Sequence, residues 1–468
     1  MAAVTLPDPR TAWYAAEWII RIGALAAVPL RRSPAATASW LLLIFFLPVP
    51  GLVLFLMIGR PHFPEWRQQR WKALHPYFAD IAARIEADAP PGECSEIGGF
   101  AHRLGRLPAC GGNMVELIDD YDGMIDRLVG DIDGAAERVD ILVYIFANDM
   151  VGRRIAAALG RARTRGVAVR VMFDPVGSHH WRRGTLKLLR GIDVDVREAL
   201  PVRWLWRRTR SDMRNHRKLF AIDGRVGYAG SQNLVTKDFR PGVVNRELVA
   251  RVTGPAVASL MAVVAGDWSL ETEDEPAAVT IPDAVGHARV QLLPSGADYP
   301  LEGFETLLVW QLHRACDRVV LVTPYFIPDE AVLAAMRSAA ARGVTVDLIV
   351  SAVVDQHIVH LAQCSYYDAL LSAGIRIHLF RDFLLHAKNV SVDSRLGIVG
   401  SSNVDLRSFQ LNEEASLLLY DSDAIGALER IQEAYLDGSD CVDLMTWRAR
   451  PKVRRLIENI ARIMSPLL

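Results

Sequence analysis

Cysteine is scarce in this 468-residue chain. The five present, Cys94, Cys110, Cys316, Cys364 and Cys441, are odd in number and form no C-x-x-C pair. That excludes a disulfide framework and a zinc knuckle and points to a reducing compartment. Excess charge is also lacking: 53 Lys+Arg against 54 Asp+Glu leave −1, so no global positive field marks a nucleic-acid binder and any anion site must be local. Glycine and proline, 33 and 24, are too few for collagen or wholesale disorder, and 51% hydrophobic residues describe packed material. At roughly 150 residues per domain the length allows about three units. Lysine is the rarest charged residue: Lys72, Lys187, Lys218, Lys237, Lys388 and Lys452 are all there are.

The one long apolar run is WLLLIFFLPVPGLVLFLMIG, Trp40 to Gly59, about twenty residues, the length a helix needs to cross roughly 30 Å of hydrocarbon. It predicts a membrane span, kinked at Pro48, Pro50 and Gly51. Ala12 to Leu30 is apolar too, but Glu17 and Arg21 stand at the i, i+4 spacing of a helical ion pair, so it reads as a second span or an interfacial helix. The first ten residues are poor in positive charge, which favours a retained anchor over a cleaved signal. With two spans, Arg10, Arg60, Arg67, Arg70 and Lys72 share one side against Arg31 and Arg32 on the other, which places the body in the cytoplasm.

Residues 63–111 read as a connector without chemistry, after an anchor at 1–62. Beyond it the signals repeat. VDILVYIF, a helical stretch and VAVRVMF (Val139 to Phe173) form a β-α-β unit, and VVLVTPYF, a second helical stretch and VTVDLIV (Val319 to Val350) form another. The body is an internal duplication of two α/β halves, 112–288 and 289–468.

Each half carries one H-x-K-x4-D-x6-G-S-x-N element: His216, Lys218, Asp223, Ser231 and Asn233, then His386, Lys388, Asp393, Ser401 and Asn403. Residues i and i+2 share a strand face, so each His and Lys point together. Asp223-Gly224 and Asp393-Ser394 are hairpin turns that bring the G-S-x-N back beside them. Ser231, Asn233, Ser401 and Asn403 can donate to phosphate oxygens, and Lys218 and Lys388 can neutralise charge on a phosphoryl group in transfer. This predicts a phosphate site that needs no metal or other cofactor. One histidine must act as free base and the other as acid, since a single imidazole cannot do both in one step. Asp223 and Asp393 complete the motif's catalytic set, but their place at turns favours a structural role. Each imidazole also needs a carboxylate to fix its tautomer.

The doubled motif resembles the phospholipase D superfamily. The hydrophobic amino terminus, GNMVELIDD (from Gly112), TPYFIPDE (from Thr323), NVDLRSFQLNEE (from Asn403) and the final SPLL extend the resemblance end to end toward bacterial cardiolipin synthases. It implies two phospholipase-D-like α/β halves, each a mixed sheet flanked by helices, sharing one active site behind a membrane-anchoring segment. It implies His216 as nucleophile, forming a phosphohistidine, and His386 as acid. An acidic residue some thirty positions after each histidine is implied to orient it, which selects Glu247 and Glu414, with Glu413 adjacent. The implied reaction moves the phosphatidyl group of one phosphatidylglycerol onto another, releasing glycerol, at the bacterial inner membrane. Hydrolytic phospholipase D and a membrane-tethered nuclease are the competing readings, and no nucleic-acid partner is expected. Two stretches suit anionic lipid: Arg203, Trp204, Trp206, Arg207, Arg208, Arg210 and Arg214 before His216, and the basic amphipathic segment Trp447 to Leu468, which either lies on lipid or packs as an ordinary terminal helix.

Overall fold

The computed structural model describes residues 8–30, 34–59, 63–91, 96–201 and 212–463. Short, Val- and Ile-rich runs, buried along most of their length, form a mixed sheet of fifteen strands that runs through both halves. In the first half Arg138–Val143, Ala168–Phe173 and Asp195–Glu198 pair in parallel through helical crossovers. Leu219–Ile222 and Val226–Gly230 then form an antiparallel hairpin, followed by Val249–Thr253 and Cys110–Ile118. The second half repeats this order with Arg318–Val322, Thr345–Ser351, Arg376–Phe380, Asn389–Val392, Leu396–Gly400, Glu414–Leu419 and Ala288–Ser295. The halves join edge to edge where Cys110–Ile118 meets Ala288–Ser295. The crossover helices begin alike: Asp149 and Asp329 side chains accept from the Gly152 and Val332 N–H groups.

Helix Val257–Thr272 is buried on nearly all sides, because the connector packs over it. That connector is folded, as helices Glu65–Ala73, His75–Asp88 and Glu96–Gly105. Gly266 lets Phe78 approach so closely that a Cβ there would lie 3.0 Å from the ring.

The amino terminus departs from expectation. Helix α1 (Pro9–Ala27) holds the Arg21–Glu17 pair at 3.2 Å, and Arg21 Nε also donates to the Phe45 carbonyl. The apolar run is not one helix but two, α2 (Pro34–Phe46) and α3 (Pro48–Ile58). Pro48 lacks an N–H and cannot continue α2. The chain reverses there rather than kinking: Trp40 meets Phe55 with ring centroids 5.3 Å apart, and a Cβ on Gly51 would sit 2.9 Å from the Ile44 Cα. Among the described residues, no helix is long and apolar enough to cross a membrane. Nor does Arg67 serve as a flanking charge, being buried against Glu271 and Asp298.

The two motif hairpins turn at Asp223-Gly224 and Asp393-Ser394, with φ of 51°, 65°, 50° and 50°, the left-handed pair a type I′ turn requires. Asp223 accepts from the N–H groups of Ala136, Glu137 and Arg138, each at 2.8 Å. Asp393 accepts from those of Cys316, Asp317 and Arg318 at 2.8–2.9 Å. Their inclusion in the catalytic set is therefore corrected: both clamp the loop that precedes a central strand. Replacing Asp393 with Ala, which removes three charge-assisted acceptor contacts, is expected to cost about 2 kcal/mol. Denaturant unfolding should show that loss, with activity per folded molecule retained; unchanged stability with lost activity would restore the catalytic assignment.

Candidate active site

Two backbone crossings build the site. The segment before His216 runs beside Glu413, with the His216 N–H donating to the Glu413 carbonyl and the Glu413 N–H to the Arg214 carbonyl, both at 2.9 Å. Its counterpart Leu384–Leu385 pairs in parallel with Asn245–Arg246, and the His386 N–H donates to the Arg246 carbonyl at 2.8 Å. Each histidine segment is thus stitched to the other half's acidic strand.

The carboxylates follow. His216 Nδ1 lies 2.9 and 3.0 Å from the Glu414 oxygens, and His386 Nδ1 lies 2.7 Å from Glu247 Oε1. The pairing expected within each half is exchanged between halves, so each glutamate serves the distant motif. Glu413 instead binds the Arg217 guanidinium at 2.7 Å. Both orienting glutamates are buried, while the two imidazoles keep 12% of their side-chain surface exposed. With Nδ1 committed to a carboxylate, Nε2 is the nitrogen left for chemistry.

Lys218 and Lys388 sit beside the imidazoles, donating to the carbonyls of His216 at 2.6 Å and His386 at 2.5 Å. The asparagines line the cavity: Asn233 accepts from the Ile145 N–H and Asn403 donates to Asp405. The serines do not line it. Ser231 bonds the Leu248 backbone, and Ser401 donates to Glu414 at 2.5 Å and accepts from the Ala415 N–H. The expectation that they contact phosphate is replaced by a role in holding the glutamate strands.

The cavity, about 240 Å³, also takes in Tyr144, Tyr325, Arg240, Arg407, Asn245 and Asn412. Tyr144 stands edge-on to His216 and Tyr325 to His386, at 4.7 and 6.3 Å between centroids. The sequence reading did not place these residues in the site; a tyrosine follows the first strand of each half, in VDILVYIF and VVLVTPYF, one position apart in register, and that recurrence was the available signal. Arg214, expected as a headgroup cation, also lines the cavity, with its guanidinium held by Asp174 and the Leu200 carbonyl. Arg203 to Arg210 lie outside the described residues. Behind the site Arg217 binds Asp267 at 2.6 Å as well as Glu413, and donates to the Glu414 carbonyl. Burial pushes Glu413 up to about 8, with Asp298 adding to it, and pushes Asp298 up to about 6.

Burial dominates the paired histidines and lysines as well. It lowers both imidazoles to about 4 despite their glutamates, so each is neutral near pH 7. It lowers Lys218 to about 7 and Lys388 to about 8. On Glu247 and Glu414 burial acts upward and is the largest single influence, but the histidine, lysine and serine partners together outweigh it and hold both below their ordinary value.

Comparison with known proteins gives the family. The family described as "Cardiolipin synthase, PLD-like domain" matches residues 128–268 and 308–435, and "Phospholipase_D-nuclease N-terminal" matches 18–60. Cardiolipin synthase A of Pectobacterium carotovorum is 32% identical over 96% of this chain and 97% of its own, and that of Yersinia pseudotuberculosis matches to the same extent. This chain belongs to the cardiolipin synthase family of phospholipase-D-like proteins. A solved phosphatidylserine synthase from Haemophilus influenzae, 15% identical, covers 80% of this chain and 100% of its own with a TM-score of 0.58, which shows the shared fold. The two matched segments fall one within residues 112–288 and one within residues 289–468.

The lysines give the site a pH signature. Their charge is present below about 7 to 8 and is lost as pH rises through that window. Affinity for sulfate, whose own charge is constant there, should fall by up to about tenfold per pH unit for each lysine above it. Calorimetric titration between pH 6 and 10 checks this, and a flat profile would show that the lysines do not hold the anion.

Proposed function

We propose that this chain is a phosphatidyltransferase that makes cardiolipin from two molecules of phosphatidylglycerol. The observation that carries it is the pair of carboxylate-oriented imidazoles in one cavity, each with a buried lysine beside it, in a chain of this family. Neutral His216 attacks phosphorus through Nε2, and protonated His386 gives its Nε2 proton to the departing glycerol oxygen. Bound phosphate favours that proton, since its negative charge opposes the burial that lowers His386. The phosphatidyl group then rests on His216. A hydroxyl of a second phosphatidylglycerol loses its proton to His386 and attacks phosphorus, which frees His216 and restores the starting state. Lys218, Lys388, Asn233 and Asn403 bear on the phosphoryl oxygens, and Glu247 and Glu414 hold the tautomers.

The anchor is the hairpin α2–α3 with α1, whose Trp18, Ile22, Phe46, Val53 and Leu56 are exposed. It holds the body on the cytoplasmic face of the inner membrane and enters the bilayer without crossing it as a single helix, since 13 and 11 residues fall short of the roughly 20 a span needs.

Purified protein given labelled phosphatidylglycerol should release glycerol and cardiolipin in equal amounts. Phosphatidic acid as the main product would make it a hydrolase. His216→Ala and His386→Ala should each lower turnover by at least about a thousandfold, and the double variant should be no worse than either. Quenched early, label should be found on His216; label on His386 would reverse the assignment. Turnover should survive exhaustive chelation, because Lys218 and Lys388 supply the cations; loss restored by one divalent ion would refute that role.

A further inference from the structure

The C-terminal helix Lys452–Ile463 is built inside out. Its apolar residues Val453, Leu456, Ile457, Ile460 and Ile463 follow helical spacing on one face, and all are 46–68% exposed. The residues it buries are Glu458 and Ala461. Glu458 is held by Arg450 at 2.7 Å and Arg454 at 3.4 Å, and the Arg462 guanidinium lies over Tyr366. A helix that buries a glutamate paired to its own segment's arginines and turns five aliphatic side chains to solvent is not an ordinary terminal helix, which would bury that stripe.

Its position gives the stripe a use. The helix packs on His357–Ser372, and the first turn of that neighbour, with Gln356 and Val359, lines the cavity that holds both histidines. Ile358, on the same turn, is 53% exposed. Lys452, Arg455 and Arg462 are exposed around the stripe, the charge sign that complements anionic headgroups. We infer that this helix is a second membrane foot, which lies in the interface of an anionic bilayer and holds the lip of the active-site cavity against the lipid that supplies its substrate. The inference rests on the lipid-transfer reading for its purpose, but the immersion of the helix can be measured apart from any turnover.

The test uses the full chain. With Cys94, Cys316 and Cys441 replaced by Ser, an environment-sensitive fluorophore is attached through Ile460→Cys, and the protein is reconstituted in phosphatidylglycerol vesicles or in phosphatidylcholine vesicles. Blue-shifted emission quenched by spin-labelled lipid in phosphatidylglycerol, weaker in phosphatidylcholine and reduced by salt, is the expected result. Emission characteristic of water on both vesicles overturns the proposal. Blue-shifted emission that spin-labelled lipid does not quench also overturns it, because a second copy of the chain then covers the stripe. A companion variant, Leu456→Glu with Ile460→Glu, should lose at least about tenfold in turnover on phosphatidylglycerol vesicles and stay within about twofold in mixed micelles; equal turnover on vesicles refutes the foot. If the unaltered chain makes no cardiolipin in micelles while the fluorophore is immersed, the transfer reading fails and the foot stands.

Discussion

The pairing of Asn215 with Glu413, and of Leu384–Leu385 with Asn245–Arg246, does more than join two halves. Each crossing carries a histidine to a glutamate that its own half cannot present to it, so neither imidazole is oriented until both halves have folded and docked. The sheet continues through the junction at Cys110–Ile118 and Ala288–Ser295, which fixes the distance between the crossings. At the two crossings register matters, because a slip of one residue would turn each side chain to the opposite face. Arg217, between His216 and Lys218, supports this from behind by binding Asp267 and Glu413 together. The connector adds Arg67 to the same buried network.

Burial sets the chemistry that this frame holds. Two imidazoles, two ammonium groups and two carboxylates are enclosed together, and a dry interior penalises every charged form. The imidazoles give way and stay neutral, the lysines are depressed into the neutral pH range, and the glutamates remain ionised because their partners sit within hydrogen-bond reach. An entering phosphate diester changes that balance, since its charge favours protonation of an imidazole and of both lysines. On the proposed reading, the resting site is a base awaiting an anion, and the arrival of the anion creates the acid.

The motif was legible because its spacing recurs in both halves and because Asp223-Gly224 announces its turn; His216 with Lys218 and His386 with Lys388 do lie together, but just ahead of the strands, which begin at Leu219 and Asn389. The duplication and the α/β class were legible for a similar reason, as repeated Val-rich runs separated by helical stretches. What sequence spacing did not convey is which half serves which: Glu247 follows His216 in the chain yet binds His386. The serines were misread because a hydroxyl near a phosphate motif suits either phosphate or backbone, and the strands' need for partners took both. Arg67 and Arg214 look like surface cations in sequence, whereas each finds buried carboxylates contributed by remote segments. The apolar run at Trp40 to Gly59 has the length of a span, but Pro48 and Gly51 act jointly, one ending a helix and the other letting its successor fold back.

The exchange of glutamates between halves is the claim on which the account stands, and imidazole nitrogen resonances report it directly. In protein labelled with 15N histidine, with His216 and His386 assigned by substitution, Glu414→Gln should shift Nδ1 of His216 and leave His386 nearly unmoved, while Glu247→Gln should do the reverse. If Glu414→Gln instead perturbs His386 and Glu247→Gln perturbs His216, each half orients its own histidine and the interlocked site described here is wrong.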